Sequence, residues 1–178
     1  YVEARFGIRL PDEKKTLLET RLFKLFSSSQ EPELADEESF FAYLCQDQSG
    51  RADNILADAI TTNHTFFMRE KDHFAYFSEA VLPYWAEHSP ERDLRTWCAA
   101  CSTGEEAYSL AILMAEYMAS SGRKLRIQIF CTDIDAEALD VARRGIYPEN
   151  IVTDVSPERL SRFFESEGKN FRIRSEER

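Results

Sequence analysis

The sequence lacks a long hydrophobic run, an excess of basic residues and a glycine-rich loop. No apolar stretch approaches the roughly 20 residues that a membrane-spanning helix needs. The formal net charge is −10, which argues against a general nucleic-acid binder because such a protein presents a basic surface. Only 6 of the 178 residues are glycine, and they do not form the G-x-G-x-x-G pattern of dinucleotide-binding loops. The 43% hydrophobic content is ordinary for a globular protein with one domain or two small ones.

Cysteine and histidine are also scarce. Cys98 and Cys101 form a C-x-x-C pair, but a structural zinc site needs a second pair of ligands, and Cys45 and Cys131 are isolated. A redox pair would normally open a helix in a thioredoxin-like unit, whereas these cysteines lie in apolar, strand-like surroundings. We therefore favour buried, reduced thiols over a metal or redox site. Reduced thiols indicate a cytoplasmic protein, and we expect no metal.

The first sixty residues predict a small helical unit. Leucines recur at three- and four-residue intervals in its first helix, the spacing of a helix face. Serines, a proline and an acidic run predict a loop from Ser27 to Glu38. The predicted helices cover residues 12–26, Ser39–Cys45 and Asp53–Ile60.

Beyond residue 93 the pattern changes to alternating strands and helices. A helix over residues 71–86 is predicted ahead of this change. Strands are then predicted over Leu94–Ala100 and Leu125–Thr132, and helices over Glu105–Met118 and Ala136–Arg144. This order implies parallel strands with right-handed crossovers, the start of a doubly wound sheet. A further helix is expected from Ser156, with Phe163 and Phe164 in it, and a strand is expected to begin at Phe171.

Two residues occupy the positions at which such sheets bind nucleotide-like ligands, beyond the carboxyl ends of the strands. Gly104 lies in the turn after the first strand, and Asp133 ends the second. A carboxylate at Asp133 can accept two hydrogen bonds from the vicinal hydroxyls of a ribose. The alternative is a structural role for Asp133, together with Asp135, as the cap of the following helix.

The acidic residues that follow the turn after the first strand indicate which class of ligand fits there. Glu105 and Glu106 would repel a pyrophosphate, but they suit a cationic ligand such as S-adenosylmethionine. This favours a methyl donor over a nicotinamide cofactor. The competing interpretation is that both glutamates only complement the dipole of the helix that they open.

A polar segment precedes the α/β region. Asn63 and Thr65 point to the same side of an extended chain, and Arg69 can form a forked contact with a carboxylate. They are candidates to hold a polar ligand tail. Turn and capping chemistry for Asn63 and Thr65, and a surface ion pair for Arg69, are the structural alternatives.

Taken together, these motifs resemble the chemotaxis receptor methyltransferases of the CheR type. The resemblance covers nearly the whole chain. It is carried by Asn63-x-Thr65-x-Phe67-x-Arg69-Glu70, by Cys101-Ser102-Thr103-Gly104-Glu105-Glu106-x-Tyr108-Ser109, and by Thr132-Asp133-Ile134-Asp135 with Ala142-x-x-Gly145-x-Tyr147. One departure is Ala107, where the family commonly has proline.

The resemblance implies a fold, a reaction and a set of contacts. The fold is an all-α N-terminal domain followed by a Rossmann-like, doubly wound methyltransferase domain. The reaction moves a methyl group from S-adenosylmethionine to receptor glutamates, leaving S-adenosylhomocysteine. The implied donor contacts are Asn63, Thr65, Arg69, Glu105 and Asp133, with Glu105 chosen over Glu106, and no catalytic residue is assigned. The implied domains are residues 1–62 for receptor docking, 63–93 as linker and helix, and 94–178 as the first part of the donor-binding domain.

Receptor docking is expected on a basic face of the helical domain, and the partners are the cytoplasmic helices of methyl-accepting receptors. That face is formed by Lys14, Lys15, Arg21 and Lys24. The family continues with further strands that this sequence does not contain. We therefore expect a fragment with an incomplete sheet, or a sheet completed by a second copy. The alternatives are a truncated, inactive binding module, a nicotinamide oxidoreductase, and a methyltransferase acting on another substrate.

Overall fold

A computed structural model describes residues 1–61, 64–89 and 93–174, with the backbone alone for Asp12. The chain divides into two compact units. The first comprises Tyr1–Thr62 with Ile134–Ala136, and the second comprises Asn63–Asp133 with Glu137–Arg178.

The first unit is built from helices with short connections. The helices are α1 (Val2–Phe6), α2 (Lys15–Ser28), α3 (Glu37–Gln46) and α4 (Arg51–Ile60), and single 3₁₀ turns form at Asp12–Lys14 and Pro32–Leu34. Its core contains Leu34, Phe40, Leu56 and Ile60, with leucines of α2 packed against them. The predicted loop from Ser27 to Glu38 is only partly right, because α2 continues to Ser28 and Asp36 begins α3 by accepting a hydrogen bond from the Ser39 N–H. A capping carboxylate of this kind satisfies an N–H that has no partner within the helix.

Arg21 has a structural role in this unit. Its Nη1 donates to the carbonyl oxygens of Ile60, at 2.8 Å, and Thr61, at 2.7 Å. The last carbonyls of a helix lack intrahelical partners, so the guanidinium stabilises the end of α4. Of the basic residues predicted to form a docking face, Lys14, Lys15 and Lys24 are exposed, whereas Arg21 is half-buried.

The second unit begins with a helical segment that changes its hydrogen-bonding pattern. Helix α5 (Lys71–Tyr76) runs through a π-helical turn, Phe77–Val81, into α6 (Leu82–His88). The change coincides with Pro83, which has no N–H to donate to the preceding turn. The helix predicted over residues 71–86 is thus present but interrupted, and the predicted connection around Pro90 lies outside the described residues.

Two parallel strands form the centre of the second unit. Strand β1 (Asp93–Ala99) leads through α7 (Glu105–Ser121) to β2 (Arg126–Thr132), and β2 leads to α8 (Ala136–Arg144). The register pairs Asp93 with Arg126 and Ala99 with Thr132, so the two carboxyl ends are level. The strand–helix–strand prediction is confirmed, as is the combination of helices with an α/β segment.

A second, antiparallel sheet was not predicted, although the strand expected to begin at Phe171 is confirmed and belongs to it. It consists of β3 (Ile146–Pro148), β4 (Phe164–Glu167) and β5 (Asn170–Ile173), in the order β3-β5-β4, and α9 (Pro157–Phe163) precedes β4. The prediction that Phe163 and Phe164 share a helix was therefore wrong, because the helix ends between them. Strands of three or four residues are too short for a period-two pattern to be recognised. Gly168, at φ 64°, allows the tight turn between β4 and β5.

The core of the second unit joins the small sheet to α7. It contains Phe67, Met68, Ile112, Tyr147, Val152, Phe163, Phe164 and Ile173. A second apolar cluster, with Leu82, Leu94 and Met114 at its centre, lies between α6, β1 and α7. No helix in the described part of the chain combines the length and the apolar character needed to cross a membrane.

Candidate functional site

The loop between β1 and α7, residues 100–104, has an unusual backbone. Ala100, Ser102 and Gly104 have φ values of 58°, 48° and 95°. Positive φ is uncommon for residues other than glycine, and such conformations cluster at functional sites, where surrounding contacts maintain them. The Cys101 N–H donates to the carbonyl of Thr132, at 3.0 Å, and the Gly104 N–H to that of Cys101, at 2.9 Å. The loop is therefore fastened to the end of β2.

Gly104 is required here for space as well as for conformation. A Cβ atom at this position would lie 2.9 Å from the Cβ of Ala142, in α8, and 3.1 Å from the hydroxyl oxygen of Tyr147. The turn therefore approaches α8 and the small sheet more closely than any other residue type would allow.

Asp133 bonds directly to this loop. Its Oδ2 accepts a hydrogen bond of 2.6 Å from the Ser102 backbone N–H. This contact is neither of the two roles that the sequence suggested, but it fixes one carboxylate oxygen next to the loop. The other face of a carboxylate has further acceptor positions, so the contact leaves a role with ribose hydroxyls chemically feasible.

Glu105 and Glu106 have different environments. Glu105 is only 2% exposed, and its Oε2 accepts a 2.6 Å hydrogen bond from the Thr103 hydroxyl. Burial raises the pKa of Glu105, and the hydrogen bond from Thr103 partly opposes that rise. Glu106 is exposed and accepts a hydrogen bond from the Cys98 thiol at 3.2 Å. A buried carboxylate without a cation is costly, which makes Glu105 the one suited to a cationic ligand group.

The segment 64–70 is anchored against the first turn of α7. The Met68 N–H donates to the Ser109 hydroxyl oxygen, at 3.0 Å, and that hydroxyl donates to the Glu105 carbonyl, at 2.7 Å. Phe67 is fully buried in the core. The polar segment that sequence analysis selected thus lies beside the helix that carries Glu105.

The candidate side chains of this segment, Thr65 and Arg69, differ in their exposure and contacts. Thr65 is half-buried. Arg69 is exposed, its Nη1 donates to the carbonyl of His64, at 2.8 Å, and its guanidinium lies 5.9 Å from the ring centre of Phe66. Its forked face is therefore directed at its own segment. Asn63 lies outside the described residues.

Sequence analysis missed two residues at this site, Ser102 and Tyr147. Within the described part of the chain, the buried hydroxyl oxygen of Ser102 has no hydrogen-bond partner, and an unsatisfied buried hydroxyl needs an explanation such as a ligand or water. Tyr147, in β3, is 1% exposed and donates to the Thr103 carbonyl, at 2.7 Å. Only the G-x-Y pattern around Tyr147 hinted at its importance, and nothing local to Ser102 indicated its positive φ.

Of the three cysteines near the site, Cys98 and Cys101 are buried thiols and Cys131 is half-buried. Cys98 and Cys131 are register partners across β1 and β2, and Cys98 and Cys101 are each 2% exposed. Burial raises the pKa of Cys98, and it raises that of Cys101 to about 11. The described residues contain no group of three or more His, Cys, Asp or Glu side chains that could hold a metal ion.

A cleft of about 870 Å³ runs along one face of β2 and is separate from these polar groups. It is lined largely by apolar residues of α7, β2 and α8, with Gly104 at one end. Glu105 and Asp133 do not line it. The polar end of the parallel sheet, rather than this apolar cleft, is therefore the candidate site.

Comparisons with known proteins found similar sequences over most of the chain. Residues 63–178 match the family model described as "CheR methyltransferase, SAM binding domain". The chain is 36% identical over 154 residues to the chemotaxis protein methyltransferase of Borreliella burgdorferi, covering 84% of this chain and 53% of that protein. It is 36% identical over 162 residues to that of Salmonella typhimurium, covering 90% and 52%. It is 32% identical over 171 residues to chemotaxis protein methyltransferase 1 of Pseudomonas aeruginosa, covering 94% and 61%. The chain thus spans about half the length of the curated relatives that it matches.

Proposed function

The chain belongs to the CheR methyltransferase family, and from that premise we propose that it transfers a methyl group from S-adenosylmethionine to glutamate side chains of chemotaxis receptors. The match over residues 63–178 is the observation that carries the proposal. The family domain binds S-adenosylmethionine, and S-adenosylhomocysteine is the product.

We propose that the donor binds at the carboxyl ends of β1 and β2. S-adenosylmethionine supplies a methyl group on a cationic sulfur, next to an amine and a carboxylate. Glu105 supports this assignment because it is a buried acid whose charge a cationic group would offset. Asp133 supports it because Ser102 holds its carboxylate at the strand end where ribose hydroxyls bind in such sheets.

Asn63, Thr65 and Arg69 are assigned to the polar tail of the donor. The support for Thr65 and Arg69 is that their segment is fastened to α7 through Met68 and Ser109. In the structure the Arg69 guanidinium is directed at its own segment, where it donates to the carbonyl of His64. The expected change on donor binding is therefore a new side-chain position for Arg69, while the backbone around Met68 stays in place.

The proposed reaction makes small demands on acid–base chemistry. A substrate glutamate has an ordinary pKa near 4.3, so it is already ionised at pH 7 and needs no general base. Catalysis then consists mainly of holding the glutamate oxygen, the methyl group and the sulfur in line and of excluding water. The fixed loop and the buried Glu105 are suited to holding and orienting the donor. No nucleophilic side chain is assigned.

We also propose a separate role for each of three parts of the chain. Residues 1–62 dock on receptor helices through Lys14, Lys15 and Lys24, residues 63–93 connect and contact the donor, and residues 94–178 bind it. The exposed lysines support this role because methylated receptor helices are rich in carboxylates. Screening by salt should weaken such docking.

We further propose a homodimer in which a second copy of the chain completes the parallel sheet. Trp97 and Phe130 are register partners on one face of the parallel sheet, and they are 67% and 66% exposed. We propose that a second copy covers this aromatic pair in a cytoplasmic dimer. Light scattering would test it: a Trp97→Ser variant should become monomeric, and a wild-type chain that is already monomeric at tens of micromolar would exclude the dimer.

The proposed donor site is tested by calorimetric titration with S-adenosylhomocysteine. Asp133→Asn keeps an oxygen that can accept from the Ser102 N–H but loses the charge. We expect its affinity to fall about 10-fold or more, because hydrogen bonds to charged groups contribute roughly 1.5–3 kcal/mol. The matched control is Asp140→Asn, an exposed position on α8 paired with Arg143, which should bind like the wild type.

The transfer step is tested with radiolabelled donor and a receptor cytoplasmic fragment. Base-labile label on receptor glutamates is the expected result. Binding of the product without any transfer would instead favour a binding module, the alternative that the sequence left open.

A further inference from the structure

The hydroxyl of Tyr147 links the small antiparallel sheet to the candidate donor loop. Tyr147 is the central residue of β3 and pairs with Phe171 of β5. It is almost completely buried, and its hydroxyl donates to the Thr103 carbonyl at 2.7 Å. Burial raises the pKa of Tyr147, so the group remains a protonated donor at neutral pH.

The ring of Tyr147 is held on two sides. It meets the ring of Phe67 edge to face, with centroids 5.0 Å apart, and the ring of Tyr108 at 6.2 Å. On a third side, the absent Cβ of Gly104 leaves room for the hydroxyl. With so many contacts the ring has little freedom, and its hydroxyl is fixed in the direction of the loop.

Thr103 connects the Tyr147 hydrogen bond to Glu105, the acid proposed to contact the donor. Its carbonyl accepts from Tyr147, and its side-chain hydroxyl donates to the Glu105 carboxylate at 2.6 Å. The residues on both sides of Thr103, Ser102 and Gly104, have positive φ. A backbone in that conformation depends on outside contacts to maintain it, and the Tyr147 hydrogen bond is one such contact.

We propose that Tyr147 is a positioning residue for the donor-binding loop, and that through it the sheet β3-β5-β4 is coupled to occupancy of the donor site. The coupling rests on the proposed donor function of Glu105. Because coupling between two sites is reciprocal, a donor that orders the loop also stabilises β3 and β5. A change in the small sheet in turn alters donor affinity.

The matched pair of variants is Tyr147→Phe and Tyr108→Phe. Each removes one hydroxyl that donates to a backbone carbonyl, but the Tyr108 hydroxyl donates to Ala142, at 2.8 Å, and not to the loop. Removing a neutral hydrogen bond costs roughly 0.5–1.5 kcal/mol. Tyr147→Phe should therefore weaken S-adenosylhomocysteine binding about 2- to 10-fold, while Tyr108→Phe leaves it within about 2-fold.

Amide hydrogen exchange supplies a readout that general destabilisation would not reproduce. Without ligand, Tyr147→Phe should speed exchange in residues 100–105 more than Tyr108→Phe does. With S-adenosylhomocysteine, wild-type residues 146–148 and 170–173 should gain protection, and Tyr147→Phe should lose that gain. Equal exchange in the two variants, or full ligand-dependent protection in Tyr147→Phe, would overturn the proposal.

The two hypotheses fail in different ways. A wild-type chain that does not bind S-adenosylhomocysteine overturns the proposed donor site and the coupling to it. The exchange of residues 100–105 without ligand still decides whether Tyr147 positions the loop.

Discussion

Gly104→Ala should destabilise the second unit through two separable effects. At φ 95° an alanine lies in a region that costs an L-residue roughly 1–2 kcal/mol. Its Cβ would also lie 2.9 Å from the Ala142 Cβ and 3.2 Å from the Ala142 Cα, and overpacking of this kind costs roughly 1–3 kcal/mol. The expected loss in unfolding free energy is therefore about 2–5 kcal/mol.

Tryptophan fluorescence during urea unfolding measures this loss in the correct unit. Both tryptophans of the chain, Trp85 and Trp97, belong to the second unit. Gly122→Ala is the control, because Gly122 has φ 66° but a Cβ there would meet nothing within 4 Å. It should cost only the backbone part, roughly 1–2 kcal/mol.

A double variant isolates the steric part. Ala142→Gly removes the atom that the new Cβ approaches most closely, so the two substitutions together should be less harmful than the sum of each alone. We expect a favourable coupling of about 1 kcal/mol or more, within the range for residues in contact. If Gly104→Ala costs no more than Gly122→Ala, or if the coupling is absent, the close approach of the loop to α8 is wrong.

Two further predictions concern buried titratable groups. Burial raises the pKa of Glu105, so the folded state holds that proton more tightly, and the charge destabilises the protein increasingly as the pH rises through the raised value. Glu105→Gln should therefore melt at a higher temperature than the wild type at pH 7, but not below pH 4.5, the ordinary pKa of a glutamate; equal melting temperatures at pH 7 would contradict the burial argument. The same variant should bind S-adenosylhomocysteine more weakly than the wild type, whereas the control Glu106→Gln should bind normally. At pH 8 an aromatic disulfide reagent should label the exposed Cys45 quickly, and Cys98 and Cys101 only after denaturation, because burial hides their thiols and raises their pKa. Mass spectrometry of peptides from protein labelled in the native state checks this, and rapid labelling of Cys101 would refute it.

Much of the fold could be predicted because it depends on local patterns. The parallel strands and α7 lie within a few residues of their predicted bounds, since apolar periodicity and the turn at Gly104 define them. The strand expected from Phe171 is present as β5, but the small sheet as a whole could not be predicted, because β3 has only three residues and pairs with β5 across more than twenty residues. The π-helical turn before Pro83 was missed for a related reason, as a proline within an apolar helical pattern indicates a perturbation but not its form.

The candidate site was predictable in position but not in its contacts. The sequence by itself determined the polar segment around Thr65, the turn at Gly104 and the acid at Asp133, because short motifs encode backbone conformation and the chemistry of nearby side chains. Only the tertiary structure decided that Glu105 is buried while Glu106 is exposed, that Asp133 accepts a hydrogen bond from Ser102, and that the Tyr147 hydroxyl donates to the Thr103 carbonyl. The physical reason is that burial and hydrogen bonding at this site arise from residues about 30 to 45 positions apart in the chain, and local conformational preference carries no information about which of them meet.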